Sequence, residues 1–353
     1  MTIRKILFTL SLAFALSSCG AVANDYVIGF YNVENLFDTE DDPHRNDNDY
    51  LPEGTYKWTQ DKYEKKLDNI ASVIKAMASE NGKFHSVLGL AEVENRRVLQ
   101  DLVARKDIKK AGYKIVHYES PDTRGIDCAL LYRPSDFKLT GSEVIKFNPL
   151  DSPVAVDDQY RQPDYKTRHI LVVRGTIEGE QFAFYVAHLP SRLGGKGGDL
   201  RSVGAEQIHT HAMKLMKECP GIKIVVMGDM NDDPTDESQV KWLHARETVA
   251  KTGPEDFFSP FIKMLKDGDG SLEYQGKWNI FDIIEVNSNL ASPSKGLGIK
   301  PADKKGHYGR VFKPSFLTQQ SGRYKGTPFR AFSHGEFIGG YSDHYPTYII
   351  IGK

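Results

Sequence analysis

The sequence predicts one mixed α/β domain in which two β-sheets pack on each other and helices lie outside. Apolar runs rich in Val, Ile, Tyr and Phe recur along the chain with turn residues between them. Helix-periodic segments separate some of these runs, whereas others follow each other closely enough to form hairpins. The length of 353 residues would favour two domains, but no Pro- or Ser-rich linker divides the chain, so we expect one.

The individual strands and helices are predicted from composition and periodicity. Strands are expected at residues 26–31, 86–91, 114–118, 127–132, 170–177, 181–187, 222–227, 281–286 and 347–351. The clearest helix covers residues 61–78, where apolar side chains recur on one face. Further helices are predicted at residues 96–105, 200–217 and 237–247.

The first residues have the composition of a targeting segment. Two basic residues precede an apolar run, residues 6–16, that is too short to span a bilayer. An Ala-Val-Ala sequence fits cleavage after residue 23, whereas a lipobox-like sequence would leave a lipid on Cys19. We therefore expect residues 1–23 to be a signal peptide, or a lipoprotein signal ending before Cys19, and residues 24–353 to form the domain. The protein is expected to be exported, as a secreted, periplasmic or membrane-anchored protein.

The overall composition excludes some classes of function. Lys plus Arg number 46 and Asp plus Glu number 47, so no global basic field attracts nucleic acid or acidic lipid. Any site for a polyanion must be local. Three cysteines exclude a disulfide scaffold and a multi-cysteine zinc module. No stable protein partner is implied.

Polar residues collect where the predicted strands end. Such residues from several strands of one sandwich can converge on a single cleft. The set comprises Asn32, Glu92, His188, Asp229, Asn231, Asp282, Asp343 and His344. Taken singly, these patterns also have structural interpretations, since Asp-x-Asn often forms a turn and an acidic residue often begins a helix. Their joint occurrence favours a site.

The residue types point to metal-assisted chemistry. Glu92 and Asp343 supply hard oxygen ligands, which suit Mg²⁺ and also Mn²⁺ or Ca²⁺. His188 and His344 titrate near neutral pH, so they can move protons or place positive charge beside a phosphate.

The remaining acidic and amide groups complete a hydrolytic set. Asp229 and Asn231 are two residues apart on an extended segment, so both side chains face the same way and can hold a water or a phosphoryl oxygen. Asp282 is flanked by apolar residues, where a carboxylate needs a partner such as a histidine. Together these groups supply the functions that hydrolysis of a phosphate ester requires.

The motifs, in this chain order, resemble the endonuclease/exonuclease/phosphatase superfamily, which includes deoxyribonuclease I and bacterial sphingomyelinases. The resemblance extends from Asn32 to His344. Its motifs are Asn-Val-Glu-Asn-Leu from Asn32, Ala-Glu-Val-Glu-Asn around Glu92, Gly-Ile-Asp-Cys-Ala from Gly125, Thr-Arg-His around Arg168, His-Leu-Pro-Ser-Arg from His188, Gly-Asp-Met-Asn around Asp229, Phe-Asp-Ile-Ile around Asp282 and Ser-Asp-His ending at His344. The second motif often begins Gln-Glu, and here it begins Ala-Glu.

The resemblance implies a four-layer α/β/β/α sandwich of two mixed sheets with helices outside. It implies that Glu92 is the main carboxylate ligand of a divalent metal, with Asn32 and Asp343 nearby. His344 would act on the attacking water, and Asp229 is the rival base.

The resemblance also implies supporting roles. Asn231 would hold a phosphate oxygen or water, and His188 would be the second histidine of the deoxyribonuclease and sphingomyelinase branches. Asp282 would be the acidic partner of His188, and Asp127 would orient His344.

Two arginines are expected to contact substrate. Arg168 resembles a phosphate-contacting arginine of the family. Arg192 begins a Gly-rich basic loop, residues 192–198, that would either grip phosphate or be a solvated flexible loop.

These roles predict an exported, metal-dependent phosphodiesterase, foremost an endonuclease that hydrolyses DNA. The catalytic alternative is a sphingomyelinase-like phospholipase C or a phosphatase acting on a lipid headgroup or small phosphorylated molecule. A non-catalytic binding protein is the third hypothesis, and the retained acidic and histidine residues count against it. Sphingomyelinases of this fold expose aromatic residues toward membranes, and the Phe-rich run at residues 257–261 is expected to be core instead.

Overall fold

The computed structural model describes residues 24–162, 165–192 and 197–353, so the predicted signal segment and a lipid on Cys19 lie outside the described residues. The strands are β1 Tyr26–Leu36, β2 Val87–Val93, β3 Lys114–His117, β4 Asp127–Tyr132, β5 Lys138–Ile145, β6 Ile170–Ile177, β7 Glu180–His188, β8 Lys223–Asp229, β9 Ala245–Arg246, β10 Phe257–Phe258, β11 Leu272–Tyr274, β12 Lys277–Asn279, β13 Asp282–Asn287, β14 Gly298–Lys300, β15 Gly309–Val311, β16 Phe332–Ser333, β17 Glu336–Phe337 and β18 Thr347–Gly352. The helices are α1 Gln60–Glu80, α2 Arg96–Ala104, α3 Gly198–Glu218, α4 Pro260–Lys266 and α5 Ser288–Ala291.

Two large mixed sheets form the centre of the fold. The first has the order β14-β18-β1-β2-β4-β3, with β15 also paired to β18. The second has the order β5-β6-β7-β8-β13-β10-β9. Strands β1 and β2 are parallel at the middle of the first sheet, and β7 and β8 are parallel at the middle of the second. This architecture confirms the predicted fold class.

The main core lies between the two sheets, and a second core lies under the helices. In β1, Ile28 and Phe30 belong to the inter-sheet core, whereas Val27 and Tyr31 pack with α1 and α2. This alternation follows from the two-residue period of a strand. The sheets approach so closely that a Cβ on Gly89 would lie 2.6 Å from Met227 Sδ.

Two differences between the predicted and the observed elements have a clear physical reason. The helix expected at residues 237–247 is wrong: Ser238–Trp242 forms one π-helical turn and Ala245–Arg246 is a short strand. His244 between them has a positive φ of 62°, which an α-helix cannot continue through. Strand β5 was not predicted, because its side chains are exposed or half-buried and its sequence is mostly polar.

Two features of the structure bear on contact with a membrane, namely the burial of the Phe-rich run and the length of the helices. Phe257 and Phe258 are buried, as expected for core residues. Within the described ranges, no helix is both long enough and apolar enough to cross a membrane.

Candidate active site

Strand register brings three of the predicted residues side by side in the second sheet. His188, the last residue of β7, pairs with Asp229, the last residue of β8. Asp229 in turn pairs with Asp282, the first residue of β13. In the facing sheet, Asn32 of β1 pairs with Ala91, directly before Glu92. These groups therefore lie at one end of the sandwich.

Backbone irregularity aims Glu92 at the same point. The pairing of β2 shifts register between Ala91 and Val93 on both sides of the strand, which leaves Glu92 in a bulge. Glu92 has a φ of 64°, and Asn231 has a φ of 50°. Left-handed backbone at residues other than glycine costs free energy and concentrates at functional sites.

Asn32 joins the carboxylates of the two sheets. Its Nδ2 donates to Glu92 Oε1 at 3.2 Å and to Asp229 Oδ2 at 2.9 Å. His188 Nε2 lies 3.9 Å from Glu92 Oε1 and 3.6 Å from Asp229 Oδ2. One ligand atom each from Glu92, His188 and Asp229 lie within 4.8 Å of one another, so these residues could hold a metal ion.

His344 is oriented by Asp282. His344 Nδ1 lies 2.7 Å from Asp282 Oδ2, and its Nε2 faces Asp229 Oδ2 at 3.9 Å. The expected pairing of Asp282 with His188 is therefore wrong, because β13 directs its first side chain toward the turn before β18. Ser342 fixes this turn by donating from Oγ to the Asn32 carbonyl and accepting the His344 N–H.

Asp127 does not orient His344. Its carboxylate lies 3.1 Å from His117 Nε2 and accepts the Ser120 N–H at 2.9 Å. Asp127 begins β4 and His117 ends the neighbouring β3, so antiparallel pairing brings them together. The sequence-based assignment of Asp127 to His344 is corrected accordingly.

The surroundings of the two histidines shift their pKa values in opposite directions. Burial lowers the pKa of His188 well below its ordinary value, and the positive charge of Arg168 lowers it further. For His344, burial acts in the same direction, but the carboxylates of Asp282 and Asp229 outweigh it and raise the pKa well above its ordinary value. Burial raises the pKa of Asp229 to about 7.

Arg168 lines the site, but most of its N–H groups donate to acceptors of the protein itself. Its Nε donates to the His188 carbonyl at 3.1 Å and its Nη2 to the Leu189 carbonyl at 2.8 Å. Its Nη1 donates to Asp122 Oδ2 at 3.0 Å. A guanidinium has five N–H groups, so two remain for a phosphate. Arg168 thus holds the end of β7 in place as well as facing the cavity.

Of the two residues Arg192 and Asp343, one lines the cavity. Arg192 donates to the Asn231 carbonyl at 2.7 Å and to Asp232 Oδ1 at 2.8 Å, and it also pairs with Asp236. It is not among the residues that line the cavity, and these contacts do not support the expected substrate contact. Asp343 does line the cavity, with Oδ1 3.9 Å from His344 Nε2, while its Oδ2 pairs with Arg330 at 3.1 Å.

Asn231 stands beside Asp229 as expected from their spacing. Its backbone N–H donates to Asp229 Oδ1 at 3.0 Å, and its Nδ2 donates to the Leu189 carbonyl at 3.0 Å. Its side-chain oxygen is therefore left to face the cavity that it lines.

The site opens into a cavity of about 640 Å³ with basic and aromatic walls. Among the lining side chains that the sequence did not single out are Arg124, Tyr160, Tyr165, Lys166 and Tyr274. Tyr274 ends β11 and the others lie between the main strands, and only the fold brings them next to the strand ends. Asp122 was also missed, and the role of Ser342, which begins the Ser-Asp-His motif, was not predicted.

The chain belongs to the endonuclease/exonuclease/phosphatase family, a sequence model of which matches residues 27–353. Members of this family are hydrolytic phosphoesterases that typically use divalent metals. The acidic and histidine groups of this site could bind such a metal. No curated protein matches the chain.

Solved structures share the fold at low sequence identity. The structure of D. rerio TDP2 complexed with a single-strand DNA product has 16% identity and a TM-score of 0.53, over 93% of this chain and 99% of that one. The human Nocturnin catalytic domain with bound sulfate has 15% identity and a TM-score of 0.51, over 93% and 97% of the two chains. An endonuclease/exonuclease/phosphatase family protein from Bacteroides thetaiotaomicron has 14% identity and a TM-score of 0.52, over 94% and 98%.

Proposed function

We propose that this protein is a divalent-metal-dependent phosphodiesterase that hydrolyses DNA, foremost as an endonuclease. The observation that carries the proposal is the convergence of Asn32, Glu92, His188, Asp229 and His344 on one cavity end, with hydrogen bonds and charge contacts between 2.9 and 3.9 Å. These groups come from both sheets and from widely separated parts of the chain. No structural need of the fold explains why they should meet.

The donor set fits a hard divalent cation. Glu92 and Asp229 carry two carboxylates that face each other across the Asn32 amide, and Asp343 adds a third at the rim. Carboxylate and amide oxygens are ligands that Mg²⁺ prefers, with Mn²⁺ and Ca²⁺ as alternatives. We assign Glu92 as the main ligand, with Asn32 and Asp343 nearby. A bound cation would neutralise charge that builds up on the phosphate oxygens.

The protein's own groups account for the remaining chemistry. Asp229, whose Oδ1 is held by the Asn231 N–H, presents Oδ2 between both histidines and accepts the proton of the attacking water. His344, held through Nδ1 by Asp282, directs Nε2 and positive charge at the phosphate. Of the two bases that the resemblance leaves open, the proposal takes Asp229, because the carboxylates around His344 raise the pKa of that histidine.

His188 and Asn231 position the scissile phosphate in this proposal. Burial lowers the pKa of His188, which favours a role as a hydrogen-bonding group over a role as a positive charge. Asn231 offers its side-chain oxygen to the attacking water. Arg168 supplies the fixed positive charge on this wall, and no covalent enzyme intermediate is required.

Nucleic acid is favoured as the substrate by the walls of the cavity. Arg124, Lys166 and Arg168 form a local basic wall on a chain without a global basic field. Tyr160 and Tyr165 lie on the same side, where an aromatic ring can stack on a base. The TDP2 relative was solved with single-strand DNA, which agrees with a nucleic acid substrate.

A lipid headgroup is the second candidate, and one observation favours it. The β11–β12 hairpin carries Tyr274 in the cavity wall and Trp278 with 41% of its surface exposed. An exposed Trp beside a phosphodiesterase cavity could contact a membrane surface. Trp278 also stacks on Tyr345 at 6.2 Å, so it is part of the fold as well.

Export remains part of the proposal. It rests on the N-terminal sequence pattern alone. Extracellular DNA would then be the accessible polymer.

A substrate panel tests the proposal. Plasmid DNA, RNA, sphingomyelin vesicles and bis-p-nitrophenyl phosphate are incubated with the protein in Mg²⁺ and in excess chelator. We expect metal-dependent cleavage of the diester and nicking of the plasmid, both lost in His344→Ala and retained in the matched control His209→Ala. Sphingomyelin hydrolysis without plasmid nicking would replace DNA by the lipid headgroup. Full activity in chelator would falsify the metal assignment.

A further inference from the structure

A second group of metal-ligating side chains lies at the β3–β4 end of the first sheet, and none of its members lines the catalytic cavity. His117 ends β3, Asp127 begins β4, and Glu119 lies in the loop between them. One ligand atom from each of these three residues lies within 4.8 Å of the others. His117 and Asp127 are 3% and 2% exposed, whereas Glu119 is 57% exposed and reaches the group from the surface.

Two carboxylates and one imidazole of this group lie within hydrogen-bonding reach of each other. Asp127 Oδ1 accepts the Ser120 N–H, and its Oδ2 faces His117 Nε2 at 3.1 Å. The Glu119 carboxylate is close enough to Asp127 for a hydrogen bond, so the two carboxylates can share a proton or a cation. Arg45 approaches Glu119 only to 4.0 Å and donates instead to the Ser120 and Asp122 carbonyls.

A second imidazole provides an independent observation. His169 precedes β6 in the other sheet and interacts electrostatically with Asp127. Its Nδ1 is buried and has no hydrogen-bond partner among the described residues. A buried polar atom without a protein partner is costly, and a bound ion or water is one way to satisfy it.

We propose that His117, Glu119 and Asp127 form a zinc-binding site. Imidazole nitrogen together with carboxylate oxygen suits Zn²⁺, whereas Mg²⁺ and Ca²⁺ prefer oxygen alone. Three protein ligands are enough for zinc when water fills the fourth position, and the three ligand atoms here lie within 4.8 Å of one another. The site is distinct from the catalytic group, since it shares no residue with it.

The proposed ion would stabilise the loop that supports the catalytic cavity. Residues 118–126 connect β3 to β4, and their Asp122 holds Arg168 through a 3.0 Å ion pair. His169 is the next residue after Arg168. An ion bound at His117 and Asp127 would therefore connect the two ends of the loop of residues 118–126. The expected effect is on stability and on substrate KM, and not on the chemical step.

Zinc binding by the full chain without a histidine tag tests the proposal. All measurements use the Glu92→Gln background, so that catalytic metal binding is weakened from the start. After chelator treatment and dialysis, Zn²⁺ binding is measured by calorimetry, Co²⁺ by its visible absorption, and thermal unfolding with and without Zn²⁺. We expect one bound zinc, which raises the melting temperature, while Mg²⁺ does not compete.

Two further substitutions decide where that zinc is bound. Either Glu119→Gln or His117→Gln is added to this background. Each should weaken zinc binding by at least about tenfold and remove the stabilisation by zinc. The Glu119→Gln protein should fold, because the Glu119 side chain is exposed. The control Glu218→Gln, an exposed glutamate on α3, should leave both unchanged. If the Glu92→Gln protein binds no zinc at micromolar concentrations, the proposal is overturned. Zinc binding that neither substitution weakens would overturn it equally, because the ion would then lie elsewhere.

Discussion

His344 and Asp282 form a buried pair in which imidazole Nδ1 lies 2.7 Å from carboxylate Oδ2. Asp282 is fully buried, and its other carboxylate oxygen has no hydrogen-bond partner among the described residues. A buried carboxylate in this position stabilises a protonated imidazole and fixes its orientation. The pair therefore determines which nitrogen of His344 faces the cavity.

Asp282→Asn should reduce kcat by at least about 100-fold, because an amide neither stabilises the imidazolium nor fixes its orientation as well. KM for bis-p-nitrophenyl phosphate should change little, since Asp282 does not line the cavity. The matched control is Asp303→Asn, which alters another Asp–His pair, 2.9 Å from His307 Nδ1, away from the cavity. Equal losses in both variants would mean that the effect is on folding and not on His344.

Glu92 combines function with backbone strain. At its φ of 64°, glycine is favoured over alanine, so Glu92→Gly should be more stable than Glu92→Ala by about 1 kcal/mol. Both variants should lack phosphodiesterase activity, because both lack the carboxylate. Urea unfolding of the two proteins checks the difference. A more stable alanine variant would show that the bulge is not strained.

Gly228 permits the close contact of β7 and β8 directly before His188 and Asp229. A Cβ at Gly228 would lie 2.2 Å from the Ala187 carbonyl oxygen, so Gly228→Ala must push the strands apart. We expect a loss of roughly 1–3 kcal/mol in unfolding free energy together with loss of activity. Gly221→Ala is the control, since no atom lies within 4 Å of its added Cβ. Unfolding curves that match for both variants would contradict the packing argument.

Glu285 should make stability depend on pH. Burial raises the pKa of Glu285 from 4.5 to about 8, and Ser259 offsets only part of that effect. Because the folded state keeps the proton longer than the unfolded chain, the contribution of Glu285 to stability should be greatest below pH 4.5 and fall as pH rises toward 8. The size of this contribution is on the order of 5 kcal/mol as an upper bound.

Glu285→Gln should flatten this fall, because glutamine does not titrate. Unfolding free energies at several pH values between 4.5 and 8 measure the slope in both proteins. The exposed Glu218→Gln should keep the wild-type slope. A slope that survives in Glu285→Gln would assign the pH dependence to other groups.

Most of the fold could be predicted because strands buried on both faces have a recognisable composition. Strands β4 and β6 begin and end at the predicted residues, since turn residues bound their apolar runs. Strand β5 could not be found in this way, because its sequence carries little apolar pattern. Short pairings such as β16 with β17 depend on tertiary contacts and leave no local signal.

The residues of the candidate site could be predicted more fully than their partners. Glu92, His188, Asp229 and His344 were found from strand ends and motif order, and they meet in one place. The pairing of carboxylates with histidines depends on strand register and on the direction of the turn before β18. Neither of these can be predicted from the local sequence. The expected partners of His188 and His344 were wrong for that reason.

The most direct test of the central claim is the rate of bis-p-nitrophenyl phosphate hydrolysis as a function of Mg²⁺ concentration in the wild-type protein and in Glu92→Gln. The account predicts no hydrolysis in chelator, saturable activation of the wild type, and a loss of at least about 100-fold in the variant across the titration. Wild-type hydrolysis that does not respond to Mg²⁺, Mn²⁺ or Ca²⁺, or a variant as active as the wild type, would contradict it.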